Sequence, residues 1–158
     1  MTPQNAGAVV LEPGGGEHIT VGASSLSIKA ETATTGGTLF VSETEIEAGF
    51  PGPPPHVHDR LHDMFYVLEG VLTFLMETET IDAQPGTFVC VPPRTVHTFT
   101  NRSDAPVRFL NMNTPAGFEG YMRELGQAFS GGGAPPTPAQ MGAIASRYDF
   151  RLAPPPGG

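Results

Sequence analysis

The stretch whose reading decides the fold runs Gly49-Phe50-Pro51-Gly52-Pro53-Pro54-Pro55-His56-Val57-His58-Asp59-Arg60-Leu61-His62-Asp63, continuing to Glu69-Gly70. Two histidines one residue apart on an extended chain point the same way, because strand side chains alternate faces. A carboxylate at Asp63 and a third imidazole from a distant strand, His97, would complete a mixed nitrogen and oxygen ligand set. Such a set suits one divalent transition metal: Fe, Mn, Ni, Co, Cu or Zn. Lone histidines more often sit on a surface or in a hydrogen bond. His18 has no partner motif, and His62, next to Asp63, should face the opposite way.

Working outward, a second ordered stretch runs Gly86-Thr87-Phe88-Val89-Cys90-Val91-Pro92-Pro93-Arg94-Thr95-Val96-His97-Thr98-Phe99-Thr100-Asn101. The spacing from His56 to Gly70 and from Gly86 to Asn101 resembles the two motifs of the cupin family. Three positions depart from the pattern. The opening Gly falls at Phe50, the ligand Glu is Asp63, one methylene shorter, and a Gly is replaced by Arg94.

The resemblance implies an all-β fold, a small double-stranded β-helix of the jelly-roll type, with His56, His58, Asp63 and His97 as metal ligands. Four protein ligands on a six-coordinate ion would leave open positions, which point to catalysis rather than a closed structural site, and the resemblance implies several chemistries. One is dioxygenase-type oxidoreduction of a small enolic or phenolic metabolite, as in quercetinase-like members. The alternatives are a metal-dependent isomerase or cyclase and a non-enzymatic small-molecule-binding cupin. Asp63 is the candidate catalytic base as well as the fourth ligand. If it does not ligate directly, it orients a histidine. Phe40, Ile46, Phe65, Val67 and Phe99 are assigned to an apolar substrate pocket, with Arg94 at its mouth as a holder of an anionic group or, more simply, as a surface ion-pair residue.

Strand and turn signals support the architecture independently. Phe40, Ser42, Thr44 and Ile46 alternate with Val41, Glu43, Glu45 and Glu47, so the glutamates should face water. Apolar runs at 65–68 and 71–76 flank Glu69-Gly70, a tight turn, and further short strands are read at 80–82, 87–91, 98–101 and 107–112. Many short strands separated by turn signals argue for a sandwich or barrel. After the barrel, Phe118, Tyr121, Met122, Leu125 and Phe129 recur at helical spacing. Thr137-Pro138 reads as an N-cap followed by a first-turn proline, opening a second short C-terminal helix. The chain therefore divides into a flexible arm at 1–18, a barrel at 19–114, a helical extension at 115–152 and a disordered tail at 153–158.

Composition bounds the rest. The 158 residues suffice for one core, and Gly 20 with Pro 17 suits a turn-rich β domain. The single cysteine, Cys90, excludes an intrachain disulfide and reads as a packed strand residue. A net charge of −8 disfavours nucleic acid and anionic lipid as partners. No early apolar run is long enough for a signal or a membrane span, so a cytoplasmic location is the default. The strand at 71–76 is apolar on both faces, so its second face needs cover from a second sheet, the N-terminal segment or a partner chain, and the cupin resemblance implies a homodimer.

Overall fold

The computed structural model describes residues 7–153. Eleven strands are described: β1 (Glu17–Val21), β2 (Ser24–Ala30), β3 (Phe40–Ile46), β4 (His56–Val57), β5 (His62–Glu69), β6 (Leu72–Met76), β7 (Thr80–Ala83), β8 (Phe88–Val91), β9 (His97–Thr100), β10 (Val107–Thr114) and β11 (Arg151–Leu152). They form a six-stranded sheet, β1-β2-β3-β10-β5-β8, and a five-stranded sheet, β11-β4-β9-β6-β7, all with antiparallel pairing. This is the jelly-roll architecture read from the sequence. Three helices accompany it: α1 (Thr32–Thr35), α2 (Phe118–Ser130) and α3 (Pro138–Ala145).

Local chemistry explains the elements that were legible. In β3, Phe40, Ser42, Thr44 and Ile46 are all buried and the residues between them are not, as the alternation requires. Thr137 caps α3: its hydroxyl accepts the Gln140 backbone N–H at 3.2 Å, and the Gln140 side chain accepts the Thr137 N–H at 2.8 Å. The first core cluster joins Ile46, Phe65, Val67, Leu72, Phe74, Ala83, Val91, Val107 and Phe109. A second cluster, Ile19, Leu26, Ile28 and Phe40, is capped by Phe118 and Met122 of α2.

Several expectations are corrected. β1 begins at Glu17, inside the stretch read as an arm, because Ile19 joins the second core cluster. The helical extension ends in a strand, β11, which returns to pair with β4. Ala153, read as the first tail residue, donates its N–H to the Pro55 carbonyl at 3.0 Å, and the rest of that tail lies outside the described residues. Cys90 is exposed, since it sits on the outer face of β8 opposite Met64. In β6, Thr73 is buried and Leu75 half-buried, so this strand is not where the chain leaves large apolar groups uncovered. Among the strands of the six-stranded sheet that role falls to Tyr66 and Phe88, 40% and 55% exposed and directly paired across β5 and β8.

The proline-rich approach to β4 is tied onto β9. The Thr98 hydroxyl donates to the Pro53 carbonyl at 2.6 Å, and the Asn101 N–H to the Phe50 carbonyl at 3.0 Å. Asn101, the last residue of the second motif, is buried and donates its amide to the Glu47 and Ala105 carbonyls. Between these anchors Gly52 has φ +85°, and a Cβ there would lie 1.8 Å from the Phe99 carbonyl oxygen. Only glycine permits this approach. On the other side of the site, Arg94 adopts φ +64°, the left-handed conformation for which the motif's glycine is suited. Its N–H donates to the His58 carbonyl at 2.7 Å, which holds it there.

These two turns give opposite expectations in one measurement. In urea unfolding of metal-stripped protein, Gly52→Ala should lose more than about 2 kcal/mol, because the loop must leave β9. Arg94→Gly should gain about 0.5–1 kcal/mol, the left-handed penalty less the extra chain entropy of glycine.

Candidate metal centre

The structure brings His56, His58, Asp63 and His97 together from three strands and one loop. Each offers a ligand atom, and these atoms all lie within 4.8 Å of one another. All four residues are buried. His56 stands directly opposite His97 in the β4–β9 ladder, and His58 follows two residues later on the same face. Asp63 projects inward from β5 while its neighbour His62 is exposed, as alternation dictates. Ring centroids are 4.9 Å apart for His56 and His58, 4.5 Å for His56 and His97, and 5.4 Å for His58 and His97.

The hydrogen bonds around the rings fix what they present inward. His56 Nδ1 bonds the Pro54 carbonyl at 2.8 Å, His97 Nδ1 the Thr95 carbonyl at 3.0 Å, and His58 Nδ1 the Asp149 carbonyl at 2.5 Å. A carbonyl only accepts, so each Nδ1 carries the proton and each neutral ring turns an Nε2 lone pair inward. His58 Nε2 has no hydrogen-bond partner, 3.5 Å from Asp63 Oδ2, and His97 Nε2 is 3.1 Å from the same oxygen. With the rings neutral, four acceptor atoms thus face each other in a buried space, and one proton shared between His97 Nε2 and Asp63 Oδ2 would still leave His58 Nε2 unpartnered. A cation satisfies them together, and the donor set of three imidazoles and a carboxylate fits a divalent transition metal.

Asp63 is held for this role by two residues that the sequence reading missed. Asn111 and Asn113 on β10 each donate a side-chain amide to Asp63 Oδ1, both at 2.7 Å. That leaves Oδ2 turned toward the histidines. The usable signal was the inward row Val107, Phe109, Asn111, Asn113, in which two amides break an apolar pattern. Asp149 and Phe150 were also missed. The Phe150 ring stacks on His56 at 4.3 Å between centroids, and the Phe118 ring stands edge-on to His58 at 5.8 Å.

Charge states follow from burial and from this cluster. Burial, then the neighbouring His97 and His58, pushes His56 down to about 3. For His58 burial opposes the charged form, but the hydrogen bond and charge of Asp63 outweigh it and raise its pKa. Burial likewise opposes the Asp63 carboxylate, yet His58 and His97, when protonated at Nε2, can bond it and hold it well below the usual range.

The residues assigned to a substrate pocket separate. Ile46, Phe65 and Val67 lie in the main core cluster, with half-buried Phe99 packed against it, while Phe40 packs in the second cluster. Arg94 is exposed on the turn before β9. It adds to Arg151, the larger influence, in keeping the Asp59 carboxyl below its ordinary range. A cavity of about 440 Å³ lies beside the centre, lined by residues 59–61, 115–118 and 146–149. Its lining residue Phe118 touches His58 edge-on.

Comparison with known proteins agrees with this geometry. A family model described as Cupin domain matches residues 42–113. Quercetin 2,3-dioxygenase of Bacillus subtilis is 31% identical over 129 residues, covering 82% of this chain. The chain spans 38% of the length of that relative. Among solved structures, KdgF from Halomonas sp. aligns with a TM-score of 0.61 at 19% identity, over 72% of this chain and 97% of that one. The polyketide cyclase RemF from Streptomyces resistomycificus aligns at 0.60 and 19% identity, over 68% and 79%. Both structural likenesses concern the fold.

The His56 shift sets a pH dependence. Its folded pKa lies below the unfolded value near 6.5, so below that pH the unfolded chain binds the extra proton and stability falls with acidification down to about 3. His58, shifted the other way, contributes stability that is complete below 6.5 and so adds no slope there. Metal-stripped protein should therefore lose on the order of a few kcal/mol between pH 6.5 and 4. Denaturant midpoints across that range check it, and His56→Gln should flatten the profile.

Proposed function

The chain belongs to the cupin superfamily, and we propose that it is a mononuclear metal-dependent oxidoreductase of the dioxygenase type, acting on a small enolic or phenolic metabolite. The observation that carries the metal dependence is the buried cluster of four converging ligand atoms, with His58 Nε2 left unpartnered among them. The oxidoreductase reading is supported by the similarity to quercetin 2,3-dioxygenase across 82% of this chain. A divalent ion held by His56, His58, Asp63 and His97 supplies Lewis acidity and, if redox-active, an electron route to O₂.

The chain's own residues do the rest. Three Nδ1–H bonds lock the imidazole planes before any ligand arrives. Asn111 and Asn113 occupy Asp63 Oδ1, so Oδ2 is the oxygen that would face the ion and, if displaced from it, would take a proton from an enol or phenol. The rings of Phe118 and Phe150 exclude water from the histidines. The cavity of about 440 Å³ is sized for a small organic molecule, with Leu61, Phe118 and Tyr148 offering apolar surface and Arg60 a cation. Arg94, near its Asp59 edge, is a second cation for an acidic substituent.

The deciding experiment is metal analysis of protein purified without added metal, followed by O₂ uptake with enols, phenols and 1,3-diketones. Bound iron, nickel, manganese, cobalt or copper with O₂ consumption is the expected result, and His58→Ala should remove most of the metal. Turnover at an undiminished rate without O₂ would instead assign an isomerase or cyclase. Tight binding without turnover in fully loaded protein would assign a binding cupin.

We also propose a homodimer in which a second copy covers the outer face of the six-stranded sheet. There Tyr66 and Phe88 form an exposed aromatic pair continuous with Cys90 and the half-buried Met64, Leu110 and Met112. Light scattering at micromolar concentration should give twice the chain mass, and Phe88→Glu should return it to the monomer value.

A further inference from the structure

Two of the four candidate ligands depend on the shortest kind of strand: His56 opens β4 and His58 follows it in the loop. β4 has two residues, and its ladder with β9 is the single pair His56–His97. So small a ladder cannot by itself hold two imidazoles in register. The segment after α3 supplies what is missing.

Asp149 lies 91 residues beyond His58 and accepts its Nδ1–H on the backbone carbonyl at 2.5 Å. The carboxylate of the same residue accepts three successive backbone N–H groups: Asp59 at 2.7 Å, Arg60 at 3.0 Å and Leu61 at 2.9 Å. Those residues form the link between His58 and Asp63. Phe150 stacks on His56 with ring planes 18° apart. β11 then pairs with β4, Arg151 opposite Val57 and Leu152 opposite His56, while the Arg151 guanidinium binds the Asp59 carboxylate at 2.8 Å. One short segment therefore fixes both histidines of the His-Val-His pair and the loop leading to the carboxylate.

We propose that Asp149 is a positioning residue of the metal centre, setting metal affinity through the orientation of His58 and the course of residues 59–61. The proposal rests on the reading of His56, His58, Asp63 and His97 as metal ligands. Residues bonded to the far nitrogen of a ligating histidine fix its ring and tune its basicity, and losing such a residue typically weakens metal binding about 10–100-fold. Here a single residue provides that bond and also anchors the adjoining backbone, so the two functions are lost together when the carboxylate is removed and the segment lifts. A purely structural staple would behave differently. Its loss would lower the stability of metal-free protein and leave the bound metal's surroundings unchanged.

The test uses full-length protein stripped with a chelator and titrated with Co²⁺, followed by visible absorption and by competition with a chromophoric chelator. Asp149→Ala should weaken Co²⁺ binding about 10–100-fold and shift the Co²⁺ visible bands, with cooperative unfolding retained. Asp149→Asn, which keeps an acceptor oxygen, should recover part of the loss. Phe150→Leu, which keeps the bulk without the stacked ring, should weaken binding several-fold. Thr137→Ala, a cap change on α3 away from the cluster, is the control for loss of stability alone. Co²⁺ affinity and spectrum of Asp149→Ala within twofold of wild type, with only the metal-free stability lowered, would overturn the proposal. If Asp149→Ala does not fold, unchanged affinity and spectrum in both Asp149→Asn and Phe150→Leu overturn it. Failure of the wild-type protein to take up Co²⁺, Zn²⁺ or Ni²⁺ would remove the four-ligand reading itself, and the proposal with it.

Discussion

Three imidazoles whose Nδ1–H groups are all committed to backbone carbonyls can offer one another nothing but lone pairs, and here they do so around a buried carboxylate oxygen. In a buried, low-dielectric space that arrangement is costly until a proton or a metal enters it. The rest of the structure serves this constraint. The proline-rich approach docks on β9 so that His56 meets His97, the alternation of β5 turns Asp63 inward, and β10 brings two amides to hold the carboxylate. Burial alone would favour neutral groups throughout. The charge on Asp63 persists because Asn111 and Asn113 bond its Oδ1 and a proton taken up by His58 or His97 would face its Oδ2.

The shorter carboxylate at position 63 becomes intelligible in this setting. A glutamate reaches further from the same backbone, whereas Asp63 stays close enough to β10 for both Asn111 and Asn113 to bond Oδ1 at 2.7 Å. Reach toward the metal is given up, and orientation is gained. Arg94 shows a related accommodation. The glycine of the motif is absent, but the left-handed turn survives, because the N–H of Arg94 bonds the His58 carbonyl and anchors the turn to the site. A departure from a motif therefore signals a different balance of contacts more than the loss of the feature.

What was legible in the sequence follows from how locally each feature is encoded. The β3 alternation, the Thr137 cap and the histidine spacing are written in a few consecutive residues, so pattern alone finds them. β1 and β2 were absorbed into a general β pattern, and β1 was partly given to the arm, because Gly and Ser around them weaken the alternation. Cys90 was placed inside because its neighbours Val89 and Val91 are apolar, yet strand geometry turns it outward with Phe88. Asn111, Asn113, Asp149 and Phe150 reach the centre from 48 to 94 residues beyond Asp63 and His56, and no local rule connects them. Two-residue strands such as β4 and β11 carry no periodicity at all.

The placement of those distant residues also joins access to geometry. The cavity beside the centre is lined by residues 59–61, 115–118 and 146–149, so the Asp149 segment forms part of its wall. That same segment holds the far nitrogen of His58. The sheets frame His97 and Asp63, while His56 and His58 are contacted by a segment, Asp149 and Phe150, whose first residue also lines the cavity. In a barrel whose interior is packed with Phe65, Phe74 and Phe109, the cavity lies outside that packing, against the segment that bonds the far nitrogen of His58.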